Sequence, residues 1–180
     1  MNEHHCCFTG HRKLSQAVLN ALPEILDRRV NGLYSEGIHT FYAGGALGFD
    51  TLAAEAVIRF GEKRPGVRLI LALPCKNQTR RWKPEALERY EAILNAANKA
   101  IFVSEEYDYA CMRRRNEYMV NRSSVCVCYL TQKKGGTAYT VSYAAKKGLR
   151  TINLAATWPE KMTAEMETPV SATNPSGRMF

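Results

Sequence analysis

The sequence predicts an α/β fold: a Rossmann-like, doubly wound, mainly parallel sheet of about six strands with helices on both faces. Three observations predict it. Short apolar runs alternate with helical patterns six times along the 180 residues. The runs are continuous rather than alternating, as in parallel strands buried on both faces. Glycine-containing turns follow several of them, where strand-to-helix connections belong.

The elements come in order. Cys6-Cys7-Phe8 is the first strand. Leu14, Val18, Leu22 and Ile25 then repeat at helical spacing, and Pro23 must either start or kink that helix. Thr40 to Ala43 is the second strand, followed by a helical face of Phe49, Leu52, Ala53, Ala56, Val57 and Phe60. Arg68 to Leu73 is the third strand, and Leu87, Tyr90, Leu94 and Ala97 mark the helix after it. Ala100 to Val103, Val125 to Leu130 and Thr151 to Leu154 complete the strands. Met112 to Arg122 and Thr140 to Lys147 read as the helices between them. Gly37, Gly61 and Gly148 stand where residues just past a helix end belong. From Trp158 the texture changes to three prolines with Thr and Ser and no strand signal. The expected organisation is one domain over residues 1–157 and an irregular C-terminal tail over 158–180.

Composition narrows the function. Apolar residues make up 46% and charged residues 23%, a globular mixture that argues against disorder. The longest apolar run, Leu69 to Leu73, is far short of the ~18–20 residues of a membrane span. No signal peptide is apparent, and no membrane association is expected. The six cysteines lie mostly in apolar strand-like runs without a CxxC pair, which predicts free thiols in a reduced, cytoplasmic protein. His4-His5-Cys6-Cys7 does not build a metal site, because adjacent strand residues point to opposite faces. No metal is expected.

The net charge is +8, and residues 111–150 carry all of it, with nine Lys/Arg against Glu117. Such a basic half suits an anionic partner, nucleotide phosphate or nucleic acid, although a solvated basic face would look the same. In a doubly wound sheet, ligands bind beyond the carboxyl ends of the strands. The residues there are Thr9-Gly10-His11-Arg12 after the first strand and Gly44-Gly45-Ala46-Leu47-Gly48-Phe49-Asp50 after the second. Pro74, Gln78 and Trp82 follow the third, and Lys133-Lys134-Gly135-Gly136-Thr137 follow the fifth. Glycine lets backbone approach a ligand, and a helix start offers free N–H groups to phosphate. Neither G-x-G-x-x-G nor G-x-x-x-x-G-K-[ST] occurs, which removes the main support for a dinucleotide dehydrogenase or a P-loop ATPase.

These segments, with Ala53-Ala54-Glu55, Arg115-Asn116, Met119-Val120 and Gly135 to Thr140, resemble the YpsA-like branch of the SLOG superfamily from about residue 5 to 155. The resemblance implies a Rossmann-like fold with a nucleotide or nucleotide-derived ligand over the strand ends. Relatives in the superfamily include the LOG phosphoribohydrolases and the DNA-binding DprA/Smf proteins. LOG enzymes carry M-x-x-R-K-x-x-M and P-G-G-x-G-T-x-x-E motifs. By that resemblance Arg115 stands at their catalytic arginine, whereas Thr140 stands where they have the catalytic glutamate. A threonine hydroxyl supplies neither charge nor base for N-glycosidic cleavage. Asp50, Glu55 and Glu117 are the substitutes the sequence offers.

Several residues carry a ligand role and a structural alternative together. Arg115 suits phosphate as a guanidinium fork, or sits on a basic helix face. His11 and Arg12 contact ligand, or are solvated or paired with Asp50, which is itself either a site residue or a helix cap. Asn116 reads a ribose or base, or satisfies a loop. Gln78 and Trp82 read and stack on a base, or Trp82 is buried beneath a loop. The expected ligand-binding set is therefore Thr9, Gly10, His11, Arg12, Gly44, Gly45, Ala46, Gly48, Asp50, Pro74, Gln78, Trp82, Arg115, Asn116, Gly135, Gly136, Thr137 and Thr140. No catalytic residue is assigned and no cofactor is required. The first expectation is a binding module that senses, carries or sequesters a mononucleotide, ADP-ribose or a similar molecule. The alternative is a nucleotide N-glycosidase with a rearranged catalytic acid. Single-stranded nucleic-acid binding comes third. Dimers are common in the superfamily, so a homodimer is compatible with the reading.

Overall fold

A computed structural model describes residues 4–156. The elements run β1 (His5–Gly10), α1 (Gln16–Ser35), β2 (Thr40–Ala43), α2 (Phe49–Gly61), β3 (Arg68–Leu73), α3 (Pro84–Ala96), β4 (Lys99–Phe102), α4 (Cys111–Val120), β5 (Val125–Tyr129), α5 (Gly136–Lys146) and β6 (Arg150–Asn153). The strands form one sheet in the order β4-β3-β2-β1-β5-β6, and every pairing is parallel. The expected tail from 158 onward lies outside the described residues.

Strand side chains alternate between two cores. Cys6, Phe8, Phe41, Leu69 and Leu71 join Leu22, Leu26, Leu52 and Val57 on the face covered by α1, α2 and α3. Cys7, Tyr42, Ile70 and Cys126 join Met119, Val120 and Ala144 on the face covered by α4 and α5. The adjacent Cys6 and Cys7 thus serve opposite layers. All six cysteines are free and buried, and burial pushes the Cys128 thiol up to about 12.

Local signals explain the helix ends. Ser15 caps α1, its Oγ accepting from the Val18 N–H at 3.4 Å. At the other end Gly37 has φ 91°. There Ile38 N–H bonds the Leu33 carbonyl at 2.9 Å and Gly37 N–H bonds Tyr34 at 3.0 Å, a Schellman closure. The same pair of bonds closes α5 around Gly148. Gly61 departs from expectation: it is the last residue of α2, and the chain continues helically through Glu62. Pro23 lies inside α1 rather than at its start. The outer strands also depart from the double burial their apolar runs suggest. Lys99, Ala100 and Phe102 of β4 are exposed because β4 is a sheet edge. No helix among the described residues is long and apolar enough to cross a membrane.

The strand order fixes where a crevice opens. From β1 the chain steps outward through β2, β3 and β4, then returns to β5 on the other side of β1. The connections leaving β1 and β5 therefore diverge to opposite faces, and the gap between them is the switch point of the sheet.

Candidate functional site

A cavity of about 270 Å³ occupies that gap. Thr9, Gly10, His11 and Arg12 line it from the end of β1 and the residues after it. Ala46 and Asp50 enter from the β2–α2 connection, Arg115 and Asn116 from α4, and Gly136 and Thr137 from the start of α5. Ten expected residues thus meet at one cavity. Phe8, Met112 and Met119 line it as well. Phe8 reads from the sequence as a strand residue, and Met112 and Met119 fall at the methionines of the M-x-x-R-K-x-x-M pattern, but none of the three is in the expected set, because apolar side chains carry no polar chemistry to mark them.

Backbone packing builds the walls. Gly48 has φ 76°, and a Cβ there would sit 2.6 Å from the His11 carbonyl oxygen. Only glycine meets both demands. The His11 carbonyl accepts from Phe49 N–H at 3.1 Å, so the loops after β1 and β2 are seamed together. The His11 ring holds the third loop. Its Nε2 accepts from the Thr131 N–H at 3.0 Å, which places the proton of the neutral ring on Nδ1. At the start of α5, Gly135 takes φ 102° and no side chain caps the helix. The N–H groups of the first turn therefore receive no side-chain cap.

Asp50 and Arg115 set the electrostatics. Asp50 is in the first turn of α2 and is not its cap, which is Gly48. Its Oδ2 accepts from Gly44 N–H at 2.7 Å and Ala46 N–H at 3.2 Å, so the carboxylate moulds the glycine loop. Oδ1 has no partner among the described hydrogen bonds. Burial raises the Asp50 pKa above the ordinary 3.8, opposed by the Arg115 guanidinium and the two backbone bonds. Arg115 is only 5% exposed. Its Nη1 donates to the Gly44 carbonyl and its Nε to Asn116 Oδ1 at 2.7 Å. Nη2 keeps no protein acceptor among the described residues, and the side chain lines the cavity. Burial lowers the Arg115 pKa, opposed by Asp50. Arg12 is exposed and forms no ion pair among the described residues. Its one polar contact is with Met112 Sδ at 3.7 Å.

The remaining expected residues are placed differently. Gly44, Gly45, Gly48 and Gly135 shape the loops without lining the cavity. Pro74 lines no described cavity, and its carbonyl accepts from Ser104 N–H at 3.1 Å. Gln78 and Trp82 line a neighbouring cavity. Thr140 is buried beneath the site rather than in it. Its Oγ1 donates to the Gly136 carbonyl and accepts from Asn116 Nδ2, both at 2.8 Å. Thr140→Val should cost about 1–3 kcal/mol in urea unfolding, because Asn116 Nδ2 loses its acceptor. Thr140→Ser, which keeps the hydroxyl, should cost clearly less.

Two proposed acids are elsewhere. Glu55 forms a two-pronged pair with Arg89 across α2 and α3. Glu117 accepts from Arg113 at 2.8 Å and Tyr139 at 2.5 Å. Asp50 is the one carboxylate lining the cavity among the described residues. Much of the basic 111–150 segment is likewise spent outside the site. Arg114 pairs with Asp108 and Arg150 with Glu36, and the Arg122 guanidinium lies 3.6 Å from the Tyr118 ring centre. Lys133 and Lys134 do not line the cavity.

A model of the YspA SLOG family (YpsA) matches residues 6–157. The uncharacterized SPbeta prophage-derived protein YoqJ of Bacillus subtilis is 31% identical over 146 residues, covering 74% of this chain and 81% of that protein. The UPF0398 protein YpsA of the same organism is 25% identical, covering 77% and 78% of the two chains. Among solved structures, DNA processing protein A (DprA) from Streptococcus pneumoniae superposes with a TM-score of 0.59 at 15% identity. That match covers 83% of this chain and 49% of DprA. Helicobacter pylori DprA, described for its single-stranded DNA binding mode, matches with a TM-score of 0.59 at 18% identity, covering 83% and 64%. This chain therefore spans about half to two thirds of the DprA chains, and at these identities the likeness is one of fold.

Proposed function

The chain belongs to the YspA SLOG family, and from that premise we propose that it binds a nucleotide or nucleotide-derived small molecule at the switch-point cavity. A mononucleotide or ADP-ribose represents the class. The observation that carries this reading is the convergence of the uncapped start of α5 with Arg12 and the free Nη2 of Arg115 around one cavity. Backbone N–H groups at a helix start and guanidinium forks both select phosphate. Asn116, which lines the cavity and is held by Arg115 and Thr140, supports the reading as a polar group suited to a sugar or base edge.

The test is a thermal-shift series with AMP, ADP, GMP, NAD and ADP-ribose. A ligand at about 100 times its Kd stabilises by about 2.7 kcal/mol, a rise of roughly 5–11 °C for a chain of this size. Arg12→Ala should weaken binding by about tenfold or more, the worth of a charge-assisted bond. Arg12 is exposed and forms no ion pair among the described residues, so its removal leaves the fold intact. No shift with any of these ligands contradicts the reading.

One observation favours a second reading, hydrolysis of an N-glycosidic bond. Asp50 lines the cavity with Oδ1 unspent. A carboxylate there supplies what Thr140 lacks, stabilisation of an oxocarbenium-like centre or activation of water. That reading requires release of free base from a nucleoside monophosphate, abolished in Asp50→Asn.

A further inference from the structure

Beyond Arg12 and Met112 the groove continues. A second cavity, of about 420 Å³, shares both residues with the first. A small hollow lined by Arg12, Ala46, Gln78, Trp82 and Met112 lies between the two. Arg80 and Arg81 join Arg12 around the second cavity. No carboxylate lines it, and none of the three guanidiniums has an ion-pair partner among the described residues. Of the acids beside its Tyr107 wall, Glu105 holds Lys76 at 2.7 Å and Asp108 holds Arg114, while the exposed Glu106 does not line the cavity and pairs with none of the three guanidiniums among the described residues. Two aromatic rings complete the wall, Trp82 and the 60%-exposed Tyr107. Trp82 is not loose. Tyr90 meets its ring edge-on at 5.4 Å, and the Trp82 backbone N–H bonds the Thr79 carbonyl at 2.9 Å. Gln78 is fixed by its amide nitrogen, which donates to the Gly45 carbonyl at 3.3 Å and Tyr90 Oη at 3.4 Å. Its Oε1 accepts no hydrogen bond among the described residues.

We infer that this second cavity is a subsite for a second nucleotide unit, joined through phosphate to the one in the first cavity. Its base stacks on Trp82 and its phosphate sits among Arg12, Arg80 and Arg81. The inference rests on the nucleotide reading of the first cavity and extends it from one nucleotide to two. Solvated surface arginines are common and by themselves mean little. Here three of them surround one cavity with an anchored tryptophan, and that cavity is continuous with a phosphate-type site. A guanidinium fork is matched to phosphate oxygens, and stacking accepts any base. A linked pair of nucleotides occurs in two forms, a pyrophosphate-bridged dinucleotide and a step of a single strand.

The experiment is calorimetric titration of the full chain with AMP, with NAD and with the dinucleotide pApA. Each is repeated on the Arg80→Ala/Arg81→Ala double variant, and melting curves check that it is folded. At least one two-nucleotide ligand should bind about tenfold or more tighter than AMP. The double variant should erase that advantage while leaving AMP affinity within about twofold, since neither arginine lines the first cavity. A gain with NAD alone assigns the bridged form, and a gain with pApA alone assigns the strand. Equal affinities for all three, or an advantage that survives the double variant, overturn the subsite while leaving the first cavity standing. Failure of AMP and of both two-nucleotide ligands overturns both.

Discussion

Replacing Gly10 with alanine should destabilise the protein by about 3 kcal/mol, at the upper end of the usual cost of overpacking. A Cβ at Gly10 would come within 2.5 Å of Phe49 Cδ1 and closer still to Phe49 Cβ and Cγ. The ring has nowhere to go. Phe49 is fully buried, stacks 6.3 Å from Tyr129, and meets Phe8 edge-on at 6.5 Å. It is also the first residue of α2, tied by its N–H to the His11 carbonyl. Relief requires moving the start of the helix, and with it Asp50. Urea unfolding of Gly10→Ala measures the loss. Phe49→Ala should make the two changes partly non-additive, because the contacts with Cγ and Cδ1 go with the ring while the one with Cβ at 2.4 Å remains. A Gly10→Ala protein as stable as the parent would show that the β1 end and α2 are not seamed as described.

Asp50→Ala should cost about 3–5 kcal/mol, the range for removing one partner of a buried charge arrangement. It strips Gly44 N–H and Ala46 N–H of their acceptor and leaves buried Arg115 without the opposite charge that supports it. Small domains hold only about 5–15 kcal/mol in total, so this variant approaches the limit of folding. Asp50→Asn keeps an acceptor oxygen and should cost less.

The pH dependence separates charge from hydrogen bonding. Burial raises the folded pKa of Asp50 above its unfolded value, so between the two values the folded state binds more protons than the unfolded state. Stability from this group is fully present below the unfolded pKa and is lost as pH rises through the folded one. The gap between parent and Asp50→Asn should therefore move against the parent as pH climbs above 3.8. Paired denaturation series from pH 4 upward test it. Glu105, Asp108 and Glu117, whose folded pKa values are lowered by their partners, push the other way. They cancel in the difference because both proteins contain them.

The strands and the loops after them were legible in the sequence because both signals are local. A buried parallel strand writes itself as a continuous apolar run, and a strand-to-helix turn writes itself in glycine. Long-range partners leave no such mark. The run Ala100 to Val103 resembles the inner strands, and its place at the sheet edge follows only from the strand order. Asp50 reads as a cap or a ligand, yet its carboxylate turns back on the loop before it. Thr140 falls at a catalytic position by motif, but the helix turns it beneath the cavity, where it holds Asn116. Counting charge along the chain pointed to 111–150. In the fold most of those cations meet carboxylates or aromatic faces, and the arginines at the groove without an ion pair among the described residues are Arg12, Arg80 and Arg81. The Arg80-Arg81-Trp82 run was available as a signal, since two guanidiniums beside an aromatic ring suit a nucleotide. Beside the nine cations of 111–150 that run is the fainter signal.

A crystal structure of the protein grown with AMP tests the central claim most directly. The account predicts phosphate density at the start of α5, within hydrogen-bonding distance of the Gly136 and Thr137 N–H groups and of Arg12. It also predicts Asn116 beside the sugar or base, with Asp50 still bonded to Gly44 and Ala46. AMP bound elsewhere, or a cavity that stays empty at saturating AMP, would contradict it.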